Sequence, residues 1–325
     1  MKIGHNALRA SAIAVAAILV SSVTASAADW QPTEEIKLVS QSSAGTGNDL
    51  LLREVSKIWI KNKMIPVSVG HENVTGAGGE NARRYVSSEN AGNPHMLYAY
   101  TPATLNQAII ANSEFTYDKF TPLVNLTNDP GVIAINAQSP WKTMQEMLDA
   151  AKANPGSVLQ GGGPYGGGSS ILGKLIAESA GVELPYTPFK GGGDATTALL
   201  GGHIHFVVAN TNEVLSYVQA GQMRVLAVSQ KLDAFPDVPT LKEAGLAAEI
   251  SEFRLIVAPP GIPQEAQDYY IDLLKRTVET PDWKEYAAKN SLSGEWLEGE
   301  ALKKLLDEVA VRYREIDERM GLLKN

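Results

Sequence analysis

Short apolar runs alternate with helical patterns along residues 28–325, and several runs end in a glycine-rich turn. The pattern predicts strands over 36–41, 65–69, 96–100, 132–136, 157–160, 203–209, 225–229 and 254–258. The first predicted helix, 49–61, places Leu51, Val55, Ile58 and Trp59 on one face. Strands spaced by helices are typical of parallel sheets that helices cover on both faces. The pattern therefore favours an α/β fold.

Local signals mark the ends of several further helices. Thr101-Pro102 is an N-cap followed by proline at the first helical position, and Thr143 to Glu146 form a capping box. Helices are also predicted over 80–87 and 170–180, up to Leu200, up to Ala220 and over 301–320. The last helix carries apolar residues at three- and four-residue steps. We expect that face to pack on the core and not on a membrane or a partner.

Four glycine-rich turns, at 44–49, 76–79, 161–170 and 190–194, hold 14 of the 29 glycines. Glycine lets a backbone N–H approach a ligand closely, and a following helix adds unpaired donors and the positive end of its dipole. Each turn follows a predicted strand, where open α/β sheets bind ligands. The turns predict an anion-binding cleft, with ordinary connecting loops as the alternative.

The first 27 residues have the pattern of an export signal. Lys2 and Arg9 precede an apolar stretch over 10–20 and the small residues Ala25-Ser26-Ala27. We expect cleavage after Ala27 or Ala28 and a periplasmic location. The chain has no cysteine, which excludes disulfides, thiol catalysis and a lipoprotein anchor.

Charge and length narrow the class of partner and the number of lobes. Removing residues 1–27 leaves 26 basic and 36 acidic residues, a net charge of −10. An acidic chain is an unfavourable partner for nucleic acid or an anionic membrane. The remaining 298 residues exceed one ordinary core, so we expect two lobes.

Catalytic and metal-binding motifs are weak in this chain. Residues 168–174 match most of a phosphate-binding P-loop, but Leu175 stands where magnesium needs a hydroxyl. Residues 161–166 match a dinucleotide-binding fingerprint, but Pro164 is incompatible with the tight helix start that the fingerprint needs. His203 and His205 share a strand face without a third ligand at a fixed spacing, and no nucleophile elbow is present. We expect no cofactor and no metal.

Several long motifs resemble, in order and nearly end to end, the Bug-type receptors of the tripartite tricarboxylate transporter family. The matching stretches are residues 44–49, 72–79, 151–156, 188–192, 199–203, 235–240 and 258–261. The resemblance implies a type II periplasmic binding protein fold with two lobes, each a mainly parallel sheet flanked by helices, and a ligand cleft between them. It implies a monomer that captures a citrate-like, C4 or aromatic dicarboxylate for one large and one small membrane subunit. The chain departs from the family at Thr46 and Gly47, and at His205, where aspartate is usual.

Carried onto this sequence, the resemblance places ligand contacts in the glycine turns and at two strand ends. The expected residues are Ser43, Ala44, Thr46, Gly47, Asn48, Asp49, Gly76, Gly78, Gly79, Thr101, Gly166, Gly167, Gly168, Ser169, Ser170, Lys190, Gly191, Gly192 and Asn212. Ser169 and Ser170 are expected to donate a hydroxyl and an N–H each to one carboxylate. Thr46 or Thr101 would contact the ligand from the opposite lobe. The alternative for Thr101 is that it only caps its own helix.

The roles of Lys190 and Arg254 each have more than one interpretation. Lys190 either supplies a charge to the ligand or is a solvated loop lysine. Arg254 either meets a second carboxylate from the hinge or has a surface or lobe-bridging role. The chain is expected to divide into a first lobe of residues 28–128 and 252–325 and a second of 129–251.

Two alternative functions remain open. One is a periplasmic hydrolase or isomerase that uses Asp49, Asp194 or His205, and the other is a sensory receptor.

Overall fold

Two β-sheets, one of six strands and one of five, organise the chain. The structure is a computed structural model that describes residues 30–250, 253–294 and 296–323. The export signal predicted over 1–27 and its cleavage site lie outside the described residues. Within the described ranges, no helix is long and apolar enough to cross a membrane.

Eleven strands are described, and they divide between the two sheets. They are β1 (Ile36–Ser40), β2 (Val69–Asn73), β3 (Met96–Tyr100), β4 (Thr121–Asn128), β5 (Gly131–Asn136), β6 (Gln160–Gly162), β7 (Tyr186–Pro188), β8 (Phe206–Asn210), β9 (Met223–Val228), β10 (Phe253–Ala258) and β11 (Leu297–Glu298). The six-stranded sheet has the order β11-β4-β10-β3-β1-β2, and the five-stranded sheet has the order β7-β6-β8-β5-β9. We call the parts built on these sheets the first and the second lobe. The exact lobe boundaries, at 128/129 and 251/252, stay a prediction.

Ten α-helices cover the faces of the sheets in the described residues. They are α1 (Gly47–Lys61), α2 (Glu80–Arg84), α3 (Pro102–Ile110), α4 (Met144–Ala153), α5 (Gly168–Ala180), α6 (Gly192–Leu200), α7 (Thr211–Gln219), α8 (Gln264–Glu279), α9 (Pro281–Asn290) and α10 (Gly299–Met320). The predicted N-caps are present, because Thr101 Oγ1 accepts the N–H of Thr104 and Thr143 Oγ1 accepts the N–H of Glu146. The second half of the predicted capping box differs, since Glu146 Oε2 accepts the N–H of Lys142. These local signals therefore place the starts of α3 and α4 correctly.

The two-lobed α/β class is confirmed, but the sheets are mixed where the sequence suggested mainly parallel ones. In the first sheet, β1 pairs in parallel with β2 and β3, whereas β10 runs antiparallel to β3 and β4. In the second sheet, β5 runs antiparallel to β8 and β9. Strands β5 and β10 each enter their sheet from the other lobe. They start at the edge where β3 and β8 end, so they must run in the opposite direction.

Several strands differ from the prediction. Strands β6 and β8 begin at Gln160 and Phe206, where strands were predicted from 157 and 203, and β7 and β11 were not predicted. Two further strands, β2 and β4, differ for a similar reason. The strand predicted over 65–69 instead begins at Val69 and continues through a polar stretch to Asn73. It is an edge strand, half-exposed throughout, so no apolar run marks it. Strand β4 was not predicted, because Pro122, Asn125 and Thr127 interrupt its apolar positions. Periodicity fails where buried polar groups or an open edge replace the apolar pattern.

The predicted apolar faces of α1 and α10 both lie in the core. Leu51, Val55, Ile58 and Trp59 of α1 are buried with α8 and α9 against one face of the first sheet. The apolar residues of α10 join a second cluster that includes residues of both sheets. Helix α10 therefore packs on the core, as its spacing predicts.

Candidate ligand-binding cleft

A cavity of about 220 Å³ lies between the two sheets, beyond the carboxyl ends of β3, β4, β6 and β8. Both lobes contribute to its wall. The lining residues are Thr101, Pro102, Ala103, Asp129, Gly131, Gly163, Pro164, Gly167, Gly168, Ser169, Leu172, Gly192, Val208, Ala209, Asn210, Glu213, Ile250 and Arg254. The position agrees with the rule that open α/β sheets bind ligands outside the carboxyl ends of their strands.

From the first lobe, the N-terminus of α3 lines the cavity. Thr101 caps this helix, since its hydroxyl accepts the N–H of Thr104 at 3.3 Å and lies 3.0 Å from the hydroxyl of Thr104. Pro102 has no N–H. Ala103 therefore carries the remaining backbone donor of the first turn, at the positive end of the helix dipole.

From the second lobe, the third glycine turn brings the N-terminus of α5 to the cavity. The N–H groups of Gly168 and Ser169 open this helix, in the turn where backbone donors have no intrahelical partner. An added Cβ on Gly168 would meet only Ile250 Cδ1, at 3.6 Å, which is an ordinary van der Waals contact. These two amides are the groups of this turn that can bind an anion.

The hydroxyl of Ser169 is bound within the second lobe. Ser169 Oγ accepts the N–H of Gly163 at 3.0 Å and lies 3.0 Å from the hydroxyl of Tyr186. Tyr186 donates its own proton to the carbonyl of Gly163 at 2.6 Å, so Ser169 is the donor to Tyr186. Burial raises the pKa of Tyr186 to about 12, which keeps this proton in place at neutral pH.

Ser170 was also expected to donate to a ligand carboxylate, but its polar groups are bound within the turn. Its hydroxyl accepts the N–H of Gly166 at 2.8 Å and donates to the carbonyl of Gly167 at 2.9 Å. Its own N–H donates to Gly167 as well, at 3.0 Å. Ser170 is buried and does not line the cavity, so this residue holds the shape of the turn.

Arg254 lines the cavity from the start of β10, and its side chain connects this strand to Asn48 and Asp129. Its guanidinium donates to Asn48 Oδ1 at 3.2 Å and forms an ion pair with Asp129. The side chains of Arg254 and Asp129 are 17% and 9% exposed, so the pair is shielded from water. Asp129 directly follows β4 on the chain's first passage between the lobes. This contact corresponds to the bridging interpretation of Arg254.

Glu213 is the second carboxylate of the cavity. It lies in the first turn of α7, and its Oε2 accepts the N–H of Asn210 at 3.0 Å. A Cβ on Gly192 would collide with this carboxylate, so a larger residue there requires the Glu213 side chain to move. Burial, and to a lesser extent the charge of Asp129, raises the pKa of Glu213.

The first glycine turn is near the cavity but does not line it. Ser43, Ala44, Thr46 and Gly47 are exposed, and Asn48 reaches the site only through Arg254. Which of these residues touches a bound ligand stays a prediction.

Asp49 holds the first turn in shape. Its carboxylate accepts hydrogen bonds from the N–H of Gly45 at 2.8 Å, Arg53 Nε at 2.8 Å and Asn73 Nδ2 at 3.0 Å. Burial opposes ionisation, but these donors hold the pKa of Asp49 at about 2. The carboxylate is therefore a structural anion and no base for catalysis near neutral pH.

The second turn lies away from the cavity. The positions of Gly76, Gly78 and Gly79 face the side chains of Asn81, Gln107 and Gln41. In the fourth turn, Lys190 is exposed and Gly191 caps α6, while Gly192 alone reaches the lining. Asn212 is exposed, and Asn210, two residues earlier, lines the cavity in its place.

His203 and His205, predicted to share a strand face, both precede β8, which begins at Phe206. Within residues 30–250, 253–294 and 296–323, no group of three or more acidic or histidine side chains could hold a metal ion. His205 Nδ1 accepts the N–H of Leu159 at 3.0 Å, which gives this histidine a structural partner.

Sequence reasoning missed Ala103, Asp129, Asn210, Glu213 and Ile250. Three of them lie in recognisable sequence signals. Asp129-Pro130 is a polar break between two apolar runs, and Asn210 with Glu213 has the spacing of a capping box. Both signals indicate chain turns, and only the fold shows that these turns face one cavity.

The comparisons with known proteins agree on one family. The family model described as "Tripartite tricarboxylate transporter family receptor" matches residues 55–322. A curated relative, the UPF0065 protein in the gbd 5' region of Cupriavidus necator, is 31% identical over 323 residues that cover 96% of each chain.

Solved structures share the fold. A TctC solute-binding protein from Polaromonas, without ligand, is 26% identical at a TM-score of 0.73, covering 89% of this chain and 99% of its own. MatC from Rhodopseudomonas palustris with bound malate (22%, TM-score 0.74, coverage 88% and 99%) and Rpa4515 from R. palustris with adipate (20%, 0.77, 89% and 98%) are similar in fold. By the extent of the family match and the identity to the Cupriavidus relative, this chain belongs to the tripartite tricarboxylate transporter receptor family.

Proposed function

We propose that this protein is a solute-binding receptor that closes around a small carboxylate and does not transform it. The observation that carries the proposal is the convergence of two helix N-termini, those of α3 and α5, on one cavity from opposite lobes. Family membership supports the receptor role, and malate and adipate in two proteins of the same fold support the ligand class.

The proposed carboxylate is held by backbone amides. Ala103 donates from the first lobe, and Gly168 and Ser169 donate from the second. Each helix terminus contributes about half a unit of positive charge, so two termini can offset one carboxylate without a cationic side chain. Because the donors come from both lobes, binding favours the closed arrangement of the cleft.

The size and wall of the cavity fit a compact acid. Its volume of about 220 Å³ is below the roughly 300–1,000 Å³ of sites for drug-sized molecules. Pro102, Leu172, Val208 and Ile250 supply an apolar wall for a short carbon chain. The di- and tricarboxylates expected from the family resemblance are the first compounds to test.

The remaining parts of the proposal concern location and partners. We infer export to the periplasm with removal of residues 1–27, action as a monomer, and delivery of the ligand to one large and one small membrane subunit. The bound serine hydroxyls and the ionised, fully hydrogen-bonded Asp49 support binding over catalysis.

The test is a carboxylate screen on purified residues 28–325. A ligand present at about 100 times its dissociation constant should stabilise the protein by roughly 2.7 kcal/mol, which thermal unfolding detects. Hits are then titrated by calorimetry, and the ligand is recovered and identified by mass spectrometry. Recovery of the unchanged acid supports the proposal, whereas a converted product would show an enzyme.

A further inference from the structure

Carboxylates outnumber cations among the charged groups that line the cavity. Among the described residues of the wall, three are charged: Asp129, Glu213 and Arg254. Two of the three are carboxylates, so their formal charges sum to −1. A dicarboxylate would add two further negative charges in a space where water screens them poorly.

The arginine does not offset this excess for a ligand. Its guanidinium is bound to Asp129 and to Asn48 and is mostly buried. Drawing it to a ligand would leave the carboxylate of Asp129 shielded from water without its cation, and removing one partner of such a pair is costly. The guanidinium is therefore part of the wall and has little capacity for a second ligand carboxylate.

The two kinds of binding group occupy separate parts of the wall. The amides of Ala103, Gly168 and Ser169 belong to α3 and α5. The acidic part is one hydrogen-bonded unit, in which Asn210 donates its side-chain N–H to the carbonyl of Asp129 at 3.3 Å and its backbone N–H to Glu213. One end of a short ligand thus meets donors, and the other end meets acceptors.

Resting on the proposed function, we infer that the ligand is an acid with one carboxylate and a terminal N–H donor, an amide or an ammonium, and that Glu213 is the residue that accepts that donor. The carboxylate binds the helix termini, and the N–H group binds the acidic part of the wall. Specificity against dicarboxylates then arises from repulsion by Glu213 as well as from attraction of the donor.

Glu213 also has a structural task, because it caps α7 together with Asn210. Glu213→Gln separates the two roles. A glutamine keeps the side-chain oxygen that accepts the N–H of Asn210, and its volume fits beside Gly192. It removes the negative charge, so the cap survives while the proposed discrimination is lost.

The experiment compares matched ligand pairs that differ in one group, succinate with succinamate, glutarate with glutaramate and adipate with adipamate. Calorimetry at pH 7.5 is run on the wild-type protein, on Glu213→Gln and on Glu265→Gln. Glu265 is exposed in the first turn of α8, so that variant removes the same charge outside the cavity. Thermal unfolding of each free variant reports whether the fold is intact.

We expect the wild-type protein and Glu265→Gln to bind one monoamide at least tenfold more tightly than its diacid. In Glu213→Gln this ratio should fall below threefold, mainly because the diacid binds more tightly. If diacids bind more tightly than monoamides to the wild type, and Glu213→Gln leaves the order unchanged, this inference is wrong while the receptor role stands. If no member of any pair binds, the carboxylate site itself is wrong.

Discussion

Asn106 and Asp317 meet in a fully buried contact, with Asn106 Nδ2 3.4 Å from Asp317 Oδ1. The same amide donates to the carbonyl of Gly166 at 2.8 Å. The pair therefore links α10 and α3 to the third glycine turn of the second lobe. Within the part of the chain that the structure describes, Asn106 Oδ1 and Asp317 Oδ2 have no hydrogen-bond partner. A proton on Asp317 converts one of these two acceptors into a donor.

Stability should fall as the pH rises through the titration of Asp317. Burial raises the pKa of Asp317 to about 6, from 3.8 for an exposed aspartate, while the hydrogen bond from Asn106 opposes this shift. Between about pH 4 and 6 the unfolded chain releases this proton before the folded protein does. The loss should be about 3 kcal/mol and nearly complete by about pH 7, measured by urea unfolding at several pH values.

Asp317→Asn supplies the matched variant. An asparagine cannot ionise, so the variant should lack this pH-dependent loss and should be more stable than the wild type at pH 7. Asp272→Asn, at an exposed position of α8, is the control and should retain the wild-type slope. If the free energy of unfolding of Asp317→Asn depends on pH as that of the wild type does, the pH-dependent loss comes from another group.

Gly168→Val should abolish ligand binding and leave the fold intact. Gly168 lines the cavity in the first turn of α5, and its φ is not positive, so a side chain is tolerated by the backbone. The valine methyl groups would occupy the approach of the anion to the amides of Gly168 and Ser169. We expect no heat of binding for the best ligand of the screen and a melting temperature within a few degrees of the wild type.

Gly193→Val is the control for that variant. Gly193 is also in the first turn of a glycine-led helix, a Cβ there meets no other atom within 4 Å, and the residue does not line the cavity. This variant should keep its affinity within about threefold. If Gly168→Val binds the ligand as tightly as Gly193→Val, the third glycine turn is not part of the binding site.

Arg254→Ala should destabilise the protein, because it leaves Asp129 shielded and without its cation. Breaking such a pair from one side costs about 3–5 kcal/mol when both groups are fully buried, and we expect about 2–3 kcal/mol for this partly exposed pair. Adding Asp129→Asn should restore part of the loss. A double-mutant cycle by chemical denaturation measures the coupling, and additive effects would contradict it.

Lys190→Ala should change the affinity less than twofold, since Lys190 is exposed and does not line the cavity. Titration with the same ligand tests this directly. A loss above tenfold would show that the fourth turn closes on the ligand through its lysine.

Asp49→Asn should weaken the protein mainly above pH 4. Burial opposes ionisation, but hydrogen bonds from Arg53, Gly45 and Asn73 lower the pKa of Asp49 to about 2. Its contribution is therefore present above the unfolded value of 3.8 and is lost as the pH falls toward 2. At pH 7 the variant should lose about 1–2 kcal/mol of unfolding free energy. The exposed Asp237→Asn variant should lose less than 0.5 kcal/mol.

The local parts of the fold could be predicted because their causes are local. Helix α1 follows from the spacing of Leu51, Val55, Ile58 and Trp59, and α3 starts where Thr101 and proline can cap a helix. The motif at residues 44–49, which leads into α1, is one of those that carry the family resemblance. Strand β2 was misplaced because an edge strand needs no apolar run, and β4 was missed because buried Asn125 and Thr127 replace apolar residues.

For the cavity, the sequence determined that amides of glycine-led helices would be available, and the tertiary structure decided which of them face it. Ser169 and Ser170 have donor hydroxyls in sequence, but Tyr186 and the carbonyl of Gly167 take those protons in the fold. Arg254 and Asp129 are 125 residues apart in the chain and form one ion pair. No periodicity or motif records such a contact, because the free energy of a buried charge depends on the groups that long-range folding places beside it.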